Sequence, residues 1–453
     1  MKILIVGCGK IGGGLIRSLA DEGHDIVAID SSAEVLERLT NVYDVMSICG
    51  NGADSDILLE AGVENADLFV AVTAGDELNM LACFLAKKLG AKYTIARIRN
   101  PEYNDRSLFF LREKLELSGS LNPEQLAAQE LFNLLKFPSA VKVETFSRRY
   151  LEMAELKLKA ESVLDGVALK ELKDRFGAQV LVCCVGRGEE VFIPGGDFRL
   201  KSGDRIGVTA PPAELSKFLA AVGILKKKSR SVMLIGGGRT AHYLAEKLIT
   251  IGCNVTVIEQ DEARAAELCE AIPKAVVLLG DGAQQELLIE AGLRSTDALV
   301  ALTGMDEENI LLSVFAASQG VEKSIAKVNR DEFISMADGL GVDTVVSPER
   351  LTSDVLVSYV RALQNSMGSN VEMLYQLMGG KAEALEFNVV ENERFTGIPL
   401  KDLKLKDGIL IAGILRERKP ITPSGEECIL AGDKVVVVAA GDKRLSDLSD
   451  ILK

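Results

Sequence analysis

The chain is predicted to be an α/β protein: two tandem Rossmann-like, doubly wound parallel-sheet domains, each followed by a small α+β domain. Three observations predict this. The glycine-rich turn Gly7-Cys8-Gly9-Lys10-Ile11-Gly12 follows the apolar run Ile3-Leu4-Ile5-Val6 and opens an amphipathic segment. The pattern then returns, with Val232-Met233-Leu234-Ile235 leading into Gly236-Gly237-Gly238-Arg239-Thr240-Ala241. An acidic residue closes the next apolar run at the same distance in both halves, Asp30 in one and Glu259 in the other. One glycine motif is weak evidence. Two, each with its acidic residue in register, indicate two adenine-nucleotide-binding units of the Rossmann type.

The elements follow in order. Strands are expected near 2–6, 25–30, 45–49, 68–72 and 93–98, and helices near 11–22, 32–40, 54–61 and 77–89. Alternation of this kind with short loops implies a parallel sheet covered on both faces. Residues 231–328 repeat it, and 50–79 align with 280–309 without a gap. A helical stretch follows each unit, around 104–136 and 331–364. In the first, Leu126, Leu131, Leu134 and Leu135 form one apolar face. Such a helix either packs on its own domain or crosses to a partner.

The next segments hold short alternating runs, a Gly-Asp turn (Gly203-Asp204, Gly432-Asp433) and a strong β-run, Arg205–Val208 or Lys434–Val438. No polar constellation is expected to recur between them. The expected domains are 1–140, 141–226, 230–365 and 366–453. The period is far too long for a solenoid, so the chain reads as a duplicated two-domain unit.

Composition narrows the function classes. The chain has 453 residues, 47% hydrophobic and 26% charged, ordinary for a globular protein with a sizeable core. Its net charge of −14 argues against nucleic acid as a partner. The eight cysteines include no Cys-x-x-Cys pair, and several sit in apolar runs, so they read as buried, reduced thiols rather than metal ligands. Cys8 reads as a small residue at a variable loop position. No secretory leader and no apolar stretch of about 18 residues are found, so a cytoplasmic protein is expected. Lys226-Lys227-Lys228-Ser229-Arg230 reads as a solvated linker between the halves.

The candidate site residues follow from the chemistry of a glycine loop. Gly7 permits the tight turn, Gly9 lets the backbone approach phosphate, and Gly12 allows the helix to pack closely on the strand. Cys8 and Ile11 complete this loop. Gly236, Gly238 and Thr240 take matching places in the second. The helix N-terminus offers free N–H groups to an anion, and Lys10 and Arg239 place a cation there. Asp30 and Glu259 are expected to accept bonds from ribose hydroxyls, which disfavours a 2′-phosphate. Their alternative role is to cap the next helix. Asn51 and Asp281 follow the third strand, on the adenine side. Thr73-Ala74 and Thr303-Gly304 end the fourth strand, and Arg97 and Lys327 end the fifth, within reach of phosphates. A dehydrogenase needs a proton donor or acceptor. His24 reads as a surface residue and His242 as lying past the phosphates. No catalytic set, metal cluster or Walker motif is present.

These residues, with Leu59-Glu60-Ala61-Gly62, Asp67, Asp76-Glu77-x-Asn79 and Ile95-Ala96-Arg97-Ile98-Arg99-Asn100-Pro101-Glu102-Tyr103, resemble the RCK (KTN) domain. Phe137-Pro138-Ser139-Ala140-Val141 then leads into a segment similar to the RCK C-terminal domain. The arrangement, twice in one chain, resembles the TrkA-like subunits of Trk-type potassium uptake. The resemblance implies a non-enzymatic regulator that binds NAD(H), ATP or ADP. It also implies a homo-oligomer, a tetramer, on the inner face of the cell membrane, gating an integral-membrane channel or transporter subunit. The second half departs from the pattern at Ala241, Glu259, Lys327 and Asp331. The competing reading is an NAD-dependent oxidoreductase acting on a small soluble substrate.

Overall fold

The structure is a computed structural model. It describes residues 1–100, 103, 105–136, 142–146, 150–159, 162–188, 190–223, 229–340, 342, 344–366, 371–389, 395–441, 445 and 447–453. Pro101-Glu102, Phe137–Val141 and Lys226–Lys228, singled out in the sequence, lie outside these residues.

The first half begins with β1 (Lys2–Val6), α1 (Lys10–Leu19), β2 (Asp25–Asp30), α2 (Ala33–Thr40) and β3 (Met46–Cys49). It continues through α3 (Ser55–Glu60), β4 (Leu68–Ala71), α4 (Asp76–Leu89) and β5 (Tyr93–Arg97). The expected strands and helices are therefore present. The helical stretch expected at 104–136 is instead divided: α5 (Asp105–Lys114), a sixth strand β6 (Gly119–Leu121) and α6 (Pro123–Lys136). Gly119 favours a break and Pro123 suits a helix start, where its missing N–H costs nothing.

The parallel sheet runs β3-β2-β1-β4-β5-β6. Ile3, Leu4, Ile5 and Leu68–Ala71 are fully buried. Strands covered on both faces read as continuous apolar runs for this reason. Strand order reverses between β1 and β4, so the Gly7 turn and Thr73 flank the switch point, where ligands bind in such sheets.

A five-stranded antiparallel sheet comes next: β7 (Lys142–Phe146), β8 (Leu151–Lys157), β9 (Leu181–Arg187), β10 (Glu190–Phe192) and β11 (Arg205–Ala210), with helices α7 (Leu172–Phe176) and α8 (Pro212–Ala221). Its order is β10-β9-β11-β8-β7.

The second half repeats the plan. Its parallel sheet is β14-β13-β12-β15-β16-β17. The strands are β12 (Ser231–Ile235), β13 (Asn254–Glu259), β14 (Val276–Leu279), β15 (Ala298–Ala301), β16 (Lys323–Lys327) and β17 (Thr344–Val346). The helices are α9 (Arg239–Thr250), α10 (Glu262–Ala271), α11 (Gln285–Glu290), α12 (Asp306–Ser318), α13 (Asp331–Gly339) and α14 (Pro348–Ser366). Here too the expected helical stretch is divided by its sixth strand. The last sheet, β18-β19-β22-β20-β21, comprises β18 (Val371–Leu377), β19 (Ala382–Asn388), β20 (Ile409–Arg416), β21 (Lys419–Ile421) and β22 (Lys434–Ala440).

The chain forms two compact units. One joins Met1–Gln129 with Val232–Val360, the other Glu130–Ser231 with Arg361–Lys453. In the first unit, the helix after each parallel sheet reaches the glycine helix of the other half. Lys247 Nζ donates to Gln129 Oε1 at 2.9 Å, and Asn122 Nδ2 to Tyr243 Oη at 3.4 Å, so α9 meets α6. In mirror fashion α1 meets α14: a Cβ on Gly14 would lie 2.8 Å from Ser353 Oγ. The open question of where this helix packs is thereby answered, within one chain. In the second unit, Phe146 and Tyr375 pack edge to face at 4.6 Å, and Thr209 Oγ1 donates to the Ala412 carbonyl at 2.9 Å.

Two findings differ from expectation. The His24 side chain is enclosed rather than on the surface, with Nε2 3.6 Å from Glu22 Oε2. A polar constellation does recur in the second unit. Arg187 forks onto Asp204 (Nε to Oδ1 and Nη2 to Oδ2, both 2.7 Å), and Arg416 onto Asp433 (2.9 and 2.8 Å). Both carboxylates are buried and hold the Gly-Asp turn.

Candidate functional site: two glycine-loop clefts

Each glycine loop is fixed by backbone sterics. Gly7 has φ 89 and Gly236 φ 95, the left-handed region that side chains avoid. A Cβ on Gly7 would lie 2.7 Å from the Thr73 N atom across the switch point. Gly9 and Gly238 behave differently: a Cβ there would meet nothing within 4 Å. That open space is where a phosphate can reach the backbone. Gly9 and Gly238 are the N-cap residues of α1 and α9, and neither helix start has a side-chain cap. The first N–H groups therefore stay available to an anion.

The side chains between these glycines are less available than the sequence suggests. Cys8 is 3% exposed, and its thiol lies 3.6 Å from the Ile29 carbonyl. Burial, then the nearby Asp30 charge, pushes that thiol up to about 12. Its N–H is already given to Asp30. Cys8 thus braces the loop, with its N–H and thiol both engaged within the protein. Ile11 and Thr240 are also buried, leaving only backbone groups for contact.

Asp30 Oδ2 accepts the Cys8 N–H at 2.7 Å, and Oδ1 accepts the Ser32 N–H at 2.9 Å. Glu259 Oε2 accepts from Gly237 at 2.6 Å, and Oε1 from Asp261 at 2.8 Å. The helix caps themselves are Ser32 and Asp261. Both carboxylates thus tie the glycine loop to the next turn and keep further lone pairs for a hydroxyl donor. Asn51 Oδ1 and Asp281 Oδ1 accept from Ala53 and Ala283 at 3.1 and 2.9 Å. These exposed turns sit above Gly52 and Gly282, where a Cβ would strike Val6 and Ile235.

The fourth-strand ends are built around two buried asparagines. Asn79 Oδ1 accepts the Thr73 N–H (2.8 Å) and hydroxyl (2.7 Å), and its Nδ2 donates to the Thr73 and Arg97 carbonyls at 3.2 and 3.0 Å. Asn309 repeats all four bonds with Thr303 and Lys327, at 2.9, 2.8, 3.2 and 2.9 Å. The threonine donors are therefore turned inward. The N–H and hydroxyl of Thr73 and Thr303 are thus already given to Asn79 and Asn309.

The cations converge from both halves. Arg97 Nη2 donates to the Thr73 carbonyl. Burial lowers the Arg97 pKa, and it also feels Arg99, Glu124, Asp76 and, from the other half, Arg239. Lys327 Nζ lies 3.3 Å from the Leu302 carbonyl. Burial lowers its pKa as well, with Asp306, Glu124, Lys10 and Glu349 in its field. Lys10 itself pairs with Glu349 at 3.4 Å. Glu124 and Glu349 open α6 and α14, each after a proline. The sequence reading missed both, although Pro-Glu-x-Leu at 123–126 and 348–351 is a further repeat.

The second half opens into a cleft of ≈ 1110 Å3, ample for a nucleotide. It is lined by Gly236, Gly238, Glu259, Asp281, Thr303, Gly304 and Lys327 of the candidates, and by Glu307, Glu308, Met305 and Leu311 in addition. Arg239 and Thr240 do not line it. Among the described residues, no cluster with metal-ligand geometry occurs.

Comparison with known proteins agrees with this geometry. The TrkA-N domain matches residues 3–111 and 232–348, and the TrkA-C domain 153–223 and 384–452. Trk system potassium uptake protein TrkA homolog 1 of Methanosarcina mazei is 34% identical over 446 residues, 96% of this chain and 97% of that protein. The chain belongs to the TrkA family. The TrkA homolog of Archaeoglobus fulgidus is 33% identical over 443 residues, 98% of each chain. That of Haemophilus influenzae is 30% identical over 459 residues, 100% of this chain and 99% of its own. Among solved structures, the GsuK RCK domain covers 97% of this chain and 92% of its own at TM-score 0.62 and 17% identity. The GsuK channel bound to NAD covers 97% and 76% at TM-score 0.63 and 16% identity. The shared fold is two tandem parallel-sheet domains, each followed by an antiparallel one, as the sequence predicts.

Proposed function

We propose that the chain is a regulatory subunit of a potassium-uptake system that binds NAD(H), ATP or ADP in its two glycine-loop clefts. Nucleotide occupancy changes the shape of a homotetrameric ring on the inner face of the membrane and so gates an integral-membrane Trk-type subunit. It acts as a regulator, not an enzyme, with four functional parts at 1–140, 141–226, 230–365 and 366–453. The observation that carries this reading is the pair of uncapped helix starts, each beside an open glycine and a strand-end carboxylate, in a family named for potassium uptake. No helix among the described residues is long and apolar enough to cross a membrane, in keeping with a separate membrane partner.

The seam between the halves suggests how binding becomes motion. Lys10 is held by Glu349 from the other half. A terminal phosphate that draws Lys10 away loosens that contact, so ATP and ADP bias the seam differently. A ligand moves an equilibrium only by its differential affinity for the two states. Carrying a ring from mostly closed to mostly open needs about 5.5 kcal/mol, which several sites can share.

The test is thermal unfolding of the purified protein with NAD, NADH, NADP, ATP and ADP, repeated on Asp30→Ala and Glu259→Ala. Bound ligand must raise the midpoint by mass action. A rise with adenosine ligands lacking a 2′-phosphate, reduced in each variant, supports the reading. No rise with any ligand overturns it.

A further inference from the structure

We infer that the two clefts are not interchangeable: the first selects a nucleoside triphosphate, the second a dinucleotide of low charge such as NAD+. This rests on the proposal that both clefts bind adenine nucleotides, and it follows from how their cations are engaged.

At the first cleft two guanidiniums, Arg97 and Arg99, hold the carbonyls of Thr73 and Ala74. Arg99 Nη2 donates to the Ala74 carbonyl at 2.8 Å, at the mouth of the switch point. It also makes loose ion pairs with Asp76 and Glu124, each at 3.8 Å. Arg97 forms no ion pair among the described residues. The Nε atoms of Arg97 and Arg99 are buried and lack hydrogen-bond partners. Forked donors, one without a carboxylate partner and one paired only at 3.8 Å, suit a chain of phosphate oxygens.

The second cleft holds different groups at the same places. Lys327 replaces Arg97 and Asn329 replaces Arg99. Asn329 is neutral, and its Nδ2 is spent on Asp306 Oδ1 at 2.9 Å. The arginine has moved one position on, to Arg330, where Asp306 (3.2 Å) and Glu307 (2.6 Å) consume it. Lys327 is left as the cation lining this cleft, without a carboxylate contact among the described residues. The wall holds Glu307, which Glu77 matches in the first half, and the half-buried Glu308, which replaces Leu78 and is the added acid. Carboxylates there repel a triphosphate and tolerate a ligand whose nicotinamide ring is cationic.

Calorimetric titration of the full chain with ATP and with NAD+ tests this, using Glu259→Ala to leave the first cleft and Asp30→Ala to leave the second. The first-cleft protein should prefer ATP, and the second-cleft protein NAD+. Adding Arg99→Asn to the former should weaken ATP about tenfold, one charged hydrogen bond, and leave NAD+ unchanged. Glu308→Leu in the latter should tighten ATP, a gain that misfolding cannot produce. The same ligand ranking in both single-cleft proteins, or no gain from Glu308→Leu, overturns the inference. Absence of binding to the unaltered chain overturns the nucleotide reading instead.

Discussion

Glu259 and Gly237 are fitted to each other. Glu259 Oε2 takes the Gly237 N–H at 2.6 Å, and a Cβ at 237 would lie 2.9 Å from that oxygen and 2.4 Å from Leu268 Cδ1. In the first half the shorter Asp30 makes the same bond, and the Cys8 side chain fills the space. The extra methylene on one side of the pair is matched by the missing side chain on the other.

Gly237→Ala should therefore lower the unfolding midpoint and weaken ligand binding at the second cleft. Combining it with Glu259→Asp should restore part of both losses. A double-mutant cycle on thermal midpoints measures the coupling, and simple additivity would refute the fit.

Asn79→Ala removes four hydrogen bonds from a buried residue and strands the Thr73 N–H. The expected loss is about 3 kcal/mol in urea unfolding. Thr73→Val removes only the hydroxyl and should cost about 1 kcal/mol. Equal losses from the two variants would mean that the asparagine is not the organising group.

Lys327 has its folded pKa lowered, chiefly by burial. A charged lysine there opposes folding below that pKa, and the penalty fades as pH rises through it toward the unfolded value. Lys327→Met should raise the ligand-free midpoint at neutral pH, with the gain vanishing above about pH 10.5. The same variant should lose most of the stabilisation given by ligand in the second cleft. A lower ligand-free midpoint at neutral pH would contradict this.

Asp306 has its pKa lowered overall. Burial pushes it up, but the Asn329 and Arg330 N–H groups and the Arg330 guanidinium outweigh that. With a depressed folded pKa, its contribution is present above about pH 4 and is lost as pH falls through the folded value. Asp306→Asn should be less stable than the parent at pH 7, and the difference should shrink under acid. A gap that holds to the lowest pH would mean that the contribution is not electrostatic.

What the sequence revealed depended on how local each constraint is. Gly7, Gly236, Asp30 and Glu259 were legible because a left-handed turn and a strand-end acid are written within one βαβ unit. The strands around Ile3–Val6 and Leu68–Ala71 were legible because burial on both faces leaves no alternation to misread. The sixth strands were not: Gly119-Ser120-Leu121 is three residues long and sits between helices. Glu124 and Glu349 were missed because each acts on the opposite half, a relation no local window contains. The inertness of Cys8 was invisible until Ile29 and Asp30 were placed around it.

The crossing of α6 and α14 onto each other's glycine helices carries a historical implication. Contacts exchanged in this reciprocal way are those of a two-fold pair of identical chains. Joined in one polypeptide, the copies remain bound to a common shape, yet each can alter its chemistry alone. Glu259 beside Gly237, and Arg330 where its counterpart is Asn100, show that liberty already in use.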